Sequence, residues 1–141
     1  PYALHALEEL TLWQIGGSVL WRGKQSQTHE VSTSHSWITL QPKHLRVRSQ
    51  KYAYRMDIPI STKWKGTAIF TYCHVNGNAI GLHALAYQTL QGNTNGHNFD
   101  FTATLTYKIS AFLEVNCTYS LRKNGNLPTS NSGFATLRAS F

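Results

Sequence analysis

Hydrophobic and polar residues alternate with a period of two along most of the chain, which is the pattern of β-strands with one buried face. The clearest run extends from Phe99 to Leu121, where every odd position is apolar and the even positions are polar except for Phe112. Because this run exceeds the usual strand length of about 3–10 residues, we expect a bend or irregular corner near residues 108–112. The odd positions are predicted to be core, in particular Phe101, Leu105, Leu113, Val115 and Cys117.

The first part of the chain predicts shorter strands. Two β-rich runs meet at Gly16-Gly17, a pair that tolerates the positive φ angles of a two-residue hairpin turn. That turn would place Trp13 opposite Leu20 on paired strands. The polar residues 23–36 then read as a long loop. Between 45 and 60 the apolar positions change from odd to even, which predicts a bulge or turn near Ser49-Gln50.

Turn signals divide the rest of the chain into further strands. Gly, Asn or Pro mark turns at 61–66, 76–78, 91–98 and 123–133, and alternate apolar residues predict a last strand that ends at Phe141. Helical spacing is confined to residues 2–10. The predicted fold is all-β, an antiparallel β-sandwich or jelly roll of about nine to ten strands. We expect one domain over 1–141, with 1–9 as a lead-in from a preceding shaft or linker.

Charge is concentrated in one segment. The net charge is +7, and residues 43–65 carry seven basic side chains against Asp57. One interpretation is an anion-binding surface, and the other is a solvated strand face that keeps the protein soluble. For the first, alternation places His44, Arg46 and Arg48 on one face, and Lys63 and Lys65 flank Trp64 in a loop. An indole between cations suits an acidic sugar. The candidate anion site therefore comprises His44, Arg46, Arg48, Lys63, Trp64 and Lys65.

The sequence carries few groups for catalysis. Of the six acidic residues, Glu8 and Glu9 are adjacent, and Asp57, Asp100 and Glu114 lie on separate predicted strands. No nucleophile, metalloprotease or phosphate-loop motif occurs, so we expect no enzyme and no cofactor. Cys73, His74, His83 and His97 form the one candidate metal group, but adjacent strand residues point to opposite faces, so we expect no metal site. Cys73 and Cys117 either pair across a core or remain as two buried thiols.

Two short motifs resemble segments of viral attachment proteins. LTLW at 10–13 resembles the segment that opens adenovirus fibre heads, and LWRG at 20–23 is similar to a motif near the start of some phage tail-fibre heads. The resemblance implies a homotrimeric β-sandwich head on the virion surface, or otherwise extracellular, that binds a cell-surface receptor such as a sialylated or sulfated glycan. The alternatives are a secreted lectin-like or adhesin module and an icosahedral capsid jelly roll. No apolar run approaches 18 residues, so we expect no membrane insertion, and we expect no nucleic-acid binding.

Overall fold

The described strands form one antiparallel β-sheet, in which each strand pairs with the next described strand along the chain. The computed structural model describes residues 9–41, 45–77 and 93–140. The strand order in the sheet equals the order in the sequence. The strands are β1 (Glu9–Arg22), β2 (Thr28–Gln41), β3 (Leu45–Pro59), β4 (Trp64–Gly77), β5 (Gly96–Lys108), β6 (Leu113–Asn124) and β7 (Ser130–Ala139), and a short 3-10 turn, Lys24–Ser26, lies between β1 and β2.

The all-β prediction is confirmed, and the described residues form a single open sheet of seven strands. We call the end of the sheet where β1, β3, β5 and β7 finish the upper end, and the end where β2, β4 and β6 finish the lower end. The upper end carries short connections at 23–27, 60–63 and 109–112. The predicted corner at 108–112 is one of these, a tight connection between neighbouring strands of the same sheet.

Three local predictions in the first half of the chain are wrong. Gly16 and Gly17 lie inside β1 and pair with Ser34 and Thr33 of β2, so the chain does not turn there. Most of the predicted loop at 23–36 is strand β2, which begins at Thr28. The β2–β3 and β3–β4 registers continue without interruption past Ser49, so no bulge accompanies the change in apolar positions. The predicted turn at 76–78 and the strand after it extend outside the described residues.

The seamless register explains the change in apolar positions on β3. Val47 lies on the face of Ile38, its partner on β2, whereas Tyr52 and Tyr54 lie on the opposite face. Ile38, Val47 and Val75 are buried and form a small apolar cluster near the lower end, with buried Cys73 on the same face. One face of β3 is therefore apolar near the lower end of the sheet, and the other face is apolar further along the strand. The apolar positions in the sequence change from odd to even for this reason.

The two glycines of β1 provide a test of the continuous strand. A Cβ atom on Gly16 would lie 2.7 Å from the carbonyl oxygen of Thr33, whereas a Cβ on Gly17 would meet nothing within 4 Å. We expect Gly16→Ala to lower the free energy of unfolding by about 1–3 kcal/mol, because the β1–β2 pair must shift. Gly17→Ala should leave it unchanged or raise it by up to about 1 kcal/mol. Denaturant titration of both variants measures the difference, and equal losses would favour a turn at this pair.

Candidate functional site

The predicted anion site is divided between the two ends of the sheet. Arg46 and Arg48 share a face of β3 near its lower end, as the alternation predicts, and both are exposed. The guanidinium carbon of Arg48 lies 5.9 Å from the ring centroid of Trp37, its direct partner on β2. Trp37, Arg46 and Arg48 line one shallow groove together with Asn76. His44 lies outside the described residues.

The second half of the predicted site lies at the upper end. Trp64 begins β4 and packs against Tyr107, with 4.3 Å between the ring centroids. Lys63 lies in the preceding connection, which is fixed by hydrogen bonds from the amides of Lys63 and Trp64 to the hydroxyl of Ser61. Lys65 follows Trp64 on the strand and points to the opposite face. The two lysines therefore do not flank the indole ring on one surface.

The separation of these halves follows from the length of β3. Arg48 lies near the lower end, and Ile60, which hydrogen-bonds through its amide to the carbonyl of Trp64, lies at the upper end. At about 3.3 Å per strand residue, the two groups are about 40 Å apart. A single sugar cannot reach both, so Arg46 and Arg48 with Trp37 form one candidate site, and Trp64 lies at the opposite end of the same face.

The predicted core residues share one face but are not covered there. Phe101, Leu105, Val115 and Cys117 lie on the same face of β5 and β6, as the pairing Leu105–Cys117 shows. Leu105 and Cys117 are exposed, and Phe101, Leu113 and Val115 are half-buried. No second layer packs on this face within residues 9–41, 45–77 and 93–140.

The cysteines and histidines do not assemble into a larger metal-binding group. Cys73 is buried, Cys117 is exposed, and both thiols are free. His74 and His97 are direct partners with ring centroids 4.6 Å apart, whereas Cys73 points to the other face and His83 lies outside the described residues. Among the described residues no group of three or more His, Cys, Asp or Glu side chains could hold a metal ion.

The main feature that sequence reasoning missed is one apolar face that extends across all seven strands. We call it the apolar face. It carries Trp13 and Trp21 of β1, and the strand registers place Trp37 and Trp64 on the same side. Fourteen large hydrophobic side chains on it are exposed, namely Trp13, Ile15, Val19, Trp21, Val31, Trp37, Tyr52, Tyr54, Trp64, Phe70, Phe99, Leu105, Tyr119 and Leu137.

The apolar face is organised in bands of equal length. On four strands the alternate apolar side chains span nine residues: Trp13–Trp21, Trp64–Tyr72, Phe99–Tyr107 and Leu113–Leu121. Three of these bands begin and end with an aromatic residue. On the adjacent strands β4, β5 and β6, at about 4.8 Å per strand and with bands about 25 Å long, the bands cover about 350 Å², whereas β2 places His29, Thr33 and His35 on this face. A contiguous exposed apolar patch of this size is at the upper end of the range for monomeric soluble proteins and is often functional.

Ring contacts connect the aromatic side chains of the apolar face across the strands. The rings of Tyr52 and Tyr72 stack, and Tyr72 also contacts Phe99 at 5.0 Å. Near the upper end the ring of Trp21 stacks on that of His29. The Nδ1 atom of His29 and the hydroxyl of Tyr54 form a 2.8 Å hydrogen bond. The aromatic residues therefore form continuous rows rather than isolated exposed side chains.

The opposite face, which we call the polar face, is lined by small hydroxyl residues and paired charges. Thr104 hydrogen-bonds to Thr118 at 3.1 Å, and the neighbouring positions repeat this arrangement across β5 and β6. Arg55 forms an ion pair with Asp57 at 2.9 Å. Arg122 and Asp100 form a second pair between β6 and β5. These two ion pairs compensate part of the charge on this face. The polar face also carries apolar side chains, namely the small buried cluster near the lower end and the exposed Leu12, Leu20 and Phe134.

Comparisons with known proteins leave the site to be interpreted from its own geometry. No family model, curated protein or solved structure matches the chain. Among the described residues, none of the helical segments has the length and hydropathy of a membrane-spanning helix.

Proposed function

We propose that this chain is part of a membrane-embedded protein in which the apolar face contacts lipid and the polar face borders an aqueous interior. The observation that carries the proposal is the repeated nine-residue apolar band. A strand that crosses the hydrocarbon core of a bilayer needs about 9–11 residues when it is tilted. Four strands of this sheet meet that length with the same alternation, and the intervening side chains point to the polar face.

The aromatic residues at the band ends support the same proposal. Tryptophan and tyrosine favour the boundary between hydrocarbon and headgroups, because their rings are apolar and carry one polar atom. Trp13 and Trp21 delimit the band on β1, and Trp64 and Tyr72 delimit that on β4. The packed core of a soluble sandwich has no physical reason to place such residues at both limits of a band of fixed length.

The backbone of the sheet also fits a hydrocarbon environment. Each interior strand is paired on both sides over nearly its whole length, so its amide and carbonyl groups are satisfied within the sheet. The edge strands β1 and β7 are each paired on one side in the described structure. Because unpaired backbone groups are costly in lipid, these edges require strand partners in the membrane-embedded assembly.

This proposal departs from the sequence-based expectation of no membrane insertion. That expectation depended on the absence of a continuous apolar run of about 18 residues, which is the signature of a spanning helix. A strand with one face in lipid and one in water is apolar only at alternate positions, so such a run is not required of it.

Tryptophan fluorescence tests the proposal directly, because all four tryptophans lie on the apolar face. We expect the unfolded chain to fold as β-structure on addition of phosphatidylcholine vesicles, with a blue-shifted emission that lipids with brominated acyl chains quench. The control replaces the four tryptophans by phenylalanine and introduces Thr104→Trp on the polar face, which those lipids should not quench. Strong emission that brominated lipids leave unchanged in the parent protein would contradict the proposal.

A second candidate function is the receptor-binding head of a viral fibre, and one observation favours it. Arg48 lies over the ring of Trp37 with Arg46 on the same exposed face, an arrangement that suits an acidic sugar. In this alternative the apolar bands of β4, β5 and β6 are covered by the second layer of a sandwich of about nine to ten strands, or by subunits of a homotrimer, and the lower end of β2 and β3 stays open to the sugar. Such a head remains in the aqueous phase as a trimer when vesicles are added, so the fluorescence experiment separates the two candidates.

A further inference from the structure

On the described strands, the arginine and lysine side chains of the apolar face lie at its lower end, together with His74 and His97. Beyond the lower limit of the bands, the next residue on the same face is His74 on β4, His97 on β5 and Lys123 on β6. On β3 the corresponding positions are Gln50 and then Arg48. We call Arg48, His74, His97 and Lys123 the basic rim.

The upper limit of the same bands carries no arginine or lysine on this face of the described strands, and its one histidine, His29 of β2, stacks on Trp21. The residue that follows each band on this face is Gly23 after β1 and Ile109 after β5, and Ala111 precedes the band of β6. On β2 to β7, the acidic residues Glu30, Asp57, Asp100 and Glu114 all lie on the polar face. The apolar face is thus electrically asymmetric, with cationic groups and no acidic partner on these strands at its lower end.

The basic rim also contains a polar atom without a partner. The Nδ1 atom of His74 is buried and makes no hydrogen bond. Its neighbour His97 is held by a 2.6 Å hydrogen bond between its own Nδ1 atom and the hydroxyl of Tyr72. The Nζ atom of Lys123 donates to the carbonyl of Leu127 at 2.6 Å, which leaves two of its three donor hydrogens for another acceptor.

We infer that the basic rim binds the phosphate of lipid headgroups, so that the lower end of the sheet faces the leaflet that is richer in phosphomonoester lipids. This inference rests on the proposed function. A phosphate supplies several acceptor oxygens, which match the guanidinium of Arg48, the ammonium of Lys123 and the ring nitrogens of the two histidines. The rim adjoins the aromatic limit of the apolar bands, which is the depth at which headgroup phosphates lie.

Energy transfer between tryptophan and pyrene-labelled lipids tests the inference. The protein is inserted into phosphatidylcholine vesicles that contain a trace of phosphatidic acid or of phosphatidylcholine, each with a pyrene on its acyl chain. We expect stronger transfer to phosphatidic acid, which shows enrichment of that lipid around the protein. Arg48→Ala and Lys123→Ala should each reduce the preference by about fivefold, as expected for one cation near an anionic surface.

The matched control removes two cations from connections at the upper end. Lys24→Ala/Lys63→Ala changes the net charge by the same amount as Arg48→Ala/Lys123→Ala and should keep the parent preference. Equal losses in both double variants, or no preference in the parent, would overturn the inference. Inorganic phosphate should compete only weakly, and a site that it saturates as readily as the lipid would be an anion site and not a headgroup site.

The outcomes also separate this inference from the proposed function. A protein that inserts into phosphatidylcholine vesicles but shows no preference for phosphatidic acid retains the proposed function and loses the inference. A protein that does not insert loses both.

Discussion

Ala103→Arg should prevent stable insertion into a bilayer, whereas Thr102→Arg should have little effect. Ala103 is the central residue of the band Phe99–Tyr107 on the apolar face, and Thr102 points to the polar face. An arginine at the bilayer midplane costs about 2–4 kcal/mol in strand-built membrane proteins. On the polar face it loses only a 3.3 Å hydroxyl contact between Thr102 and Ser120. Urea titration of folding in vesicles measures both free energies.

A companion substitution distinguishes a lipid contact from a packed core. Ala103→Leu would overpack the core of a sandwich and lower the free energy of unfolding by about 1–3 kcal/mol. Against fluid lipid the added methyl groups meet no fixed neighbour, so we expect the free energy to stay constant or rise. A loss in Ala103→Leu, or a larger loss in Thr102→Arg than in Ala103→Arg, would contradict the assignment of the faces.

The second large effect concerns the reactivity of Cys117 in vesicles. Its thiol is exposed on the apolar face at the centre of the band Leu113–Leu121. Because the thiolate is the reacting species and forms poorly outside water, a water-soluble maleimide should label Cys117 more than about tenfold more slowly in vesicles than in urea. The background is Cys73→Ala, which removes the buried thiol.

The control for this labelling moves the thiol by one residue. In Cys117→Ser/Thr118→Cys the thiol points to the polar face, where Thr118 faces Thr104 across β5 and β6. It should react at a rate close to that of the unfolded protein. Rapid labelling of Cys117 in vesicles would show that water reaches the apolar face, and the proposed function would then be wrong.

The sequence predicted the class of the fold and the faces of its later strands, because β5 and β6 alternate strictly. Every odd residue from Phe99 to Leu121 is apolar, so the face of each side chain follows from its number alone. What covers that face does not follow, since burial against a second sheet and exposure to lipid impose the same alternation. The predicted core and the apolar face are therefore the same residues under two interpretations.

Sequence reasoning failed on β1 and β2 for a different reason. Gly16-Gly17 is a strong hairpin signal in isolation, but Gly16 is required where the carbonyl of Thr33 approaches its Cα. Residues 28–36 of β2 are mostly serine, threonine, histidine and glutamate, a composition typical of loops. Pairing with strands on both sides makes this segment a strand, and such tertiary pairing is not visible in a short sequence window.

Alternation in the sequence predicted only part of the candidate anion site. The alternation placed Arg46 and Arg48 on one face of a strand, and the uninterrupted β2–β3 register confirms this. It could not show that Lys63 and Trp64 lie about 40 Å away, because that distance depends on β3 continuing without interruption to Pro59.

The pairing of each strand with its successor also determines how the sheet can assemble. Most contacts join residues that are close in the sequence, so each hairpin can form on the one before it with a small loss of chain entropy. The exception is the pair β4 and β5, which residues 78–95 separate in the sequence, a greater separation than between any other two neighbouring strands of the described sheet. Folding should therefore proceed through two blocks, β1–β4 and β5–β7, whose joining along the β4–β5 seam is the slowest step.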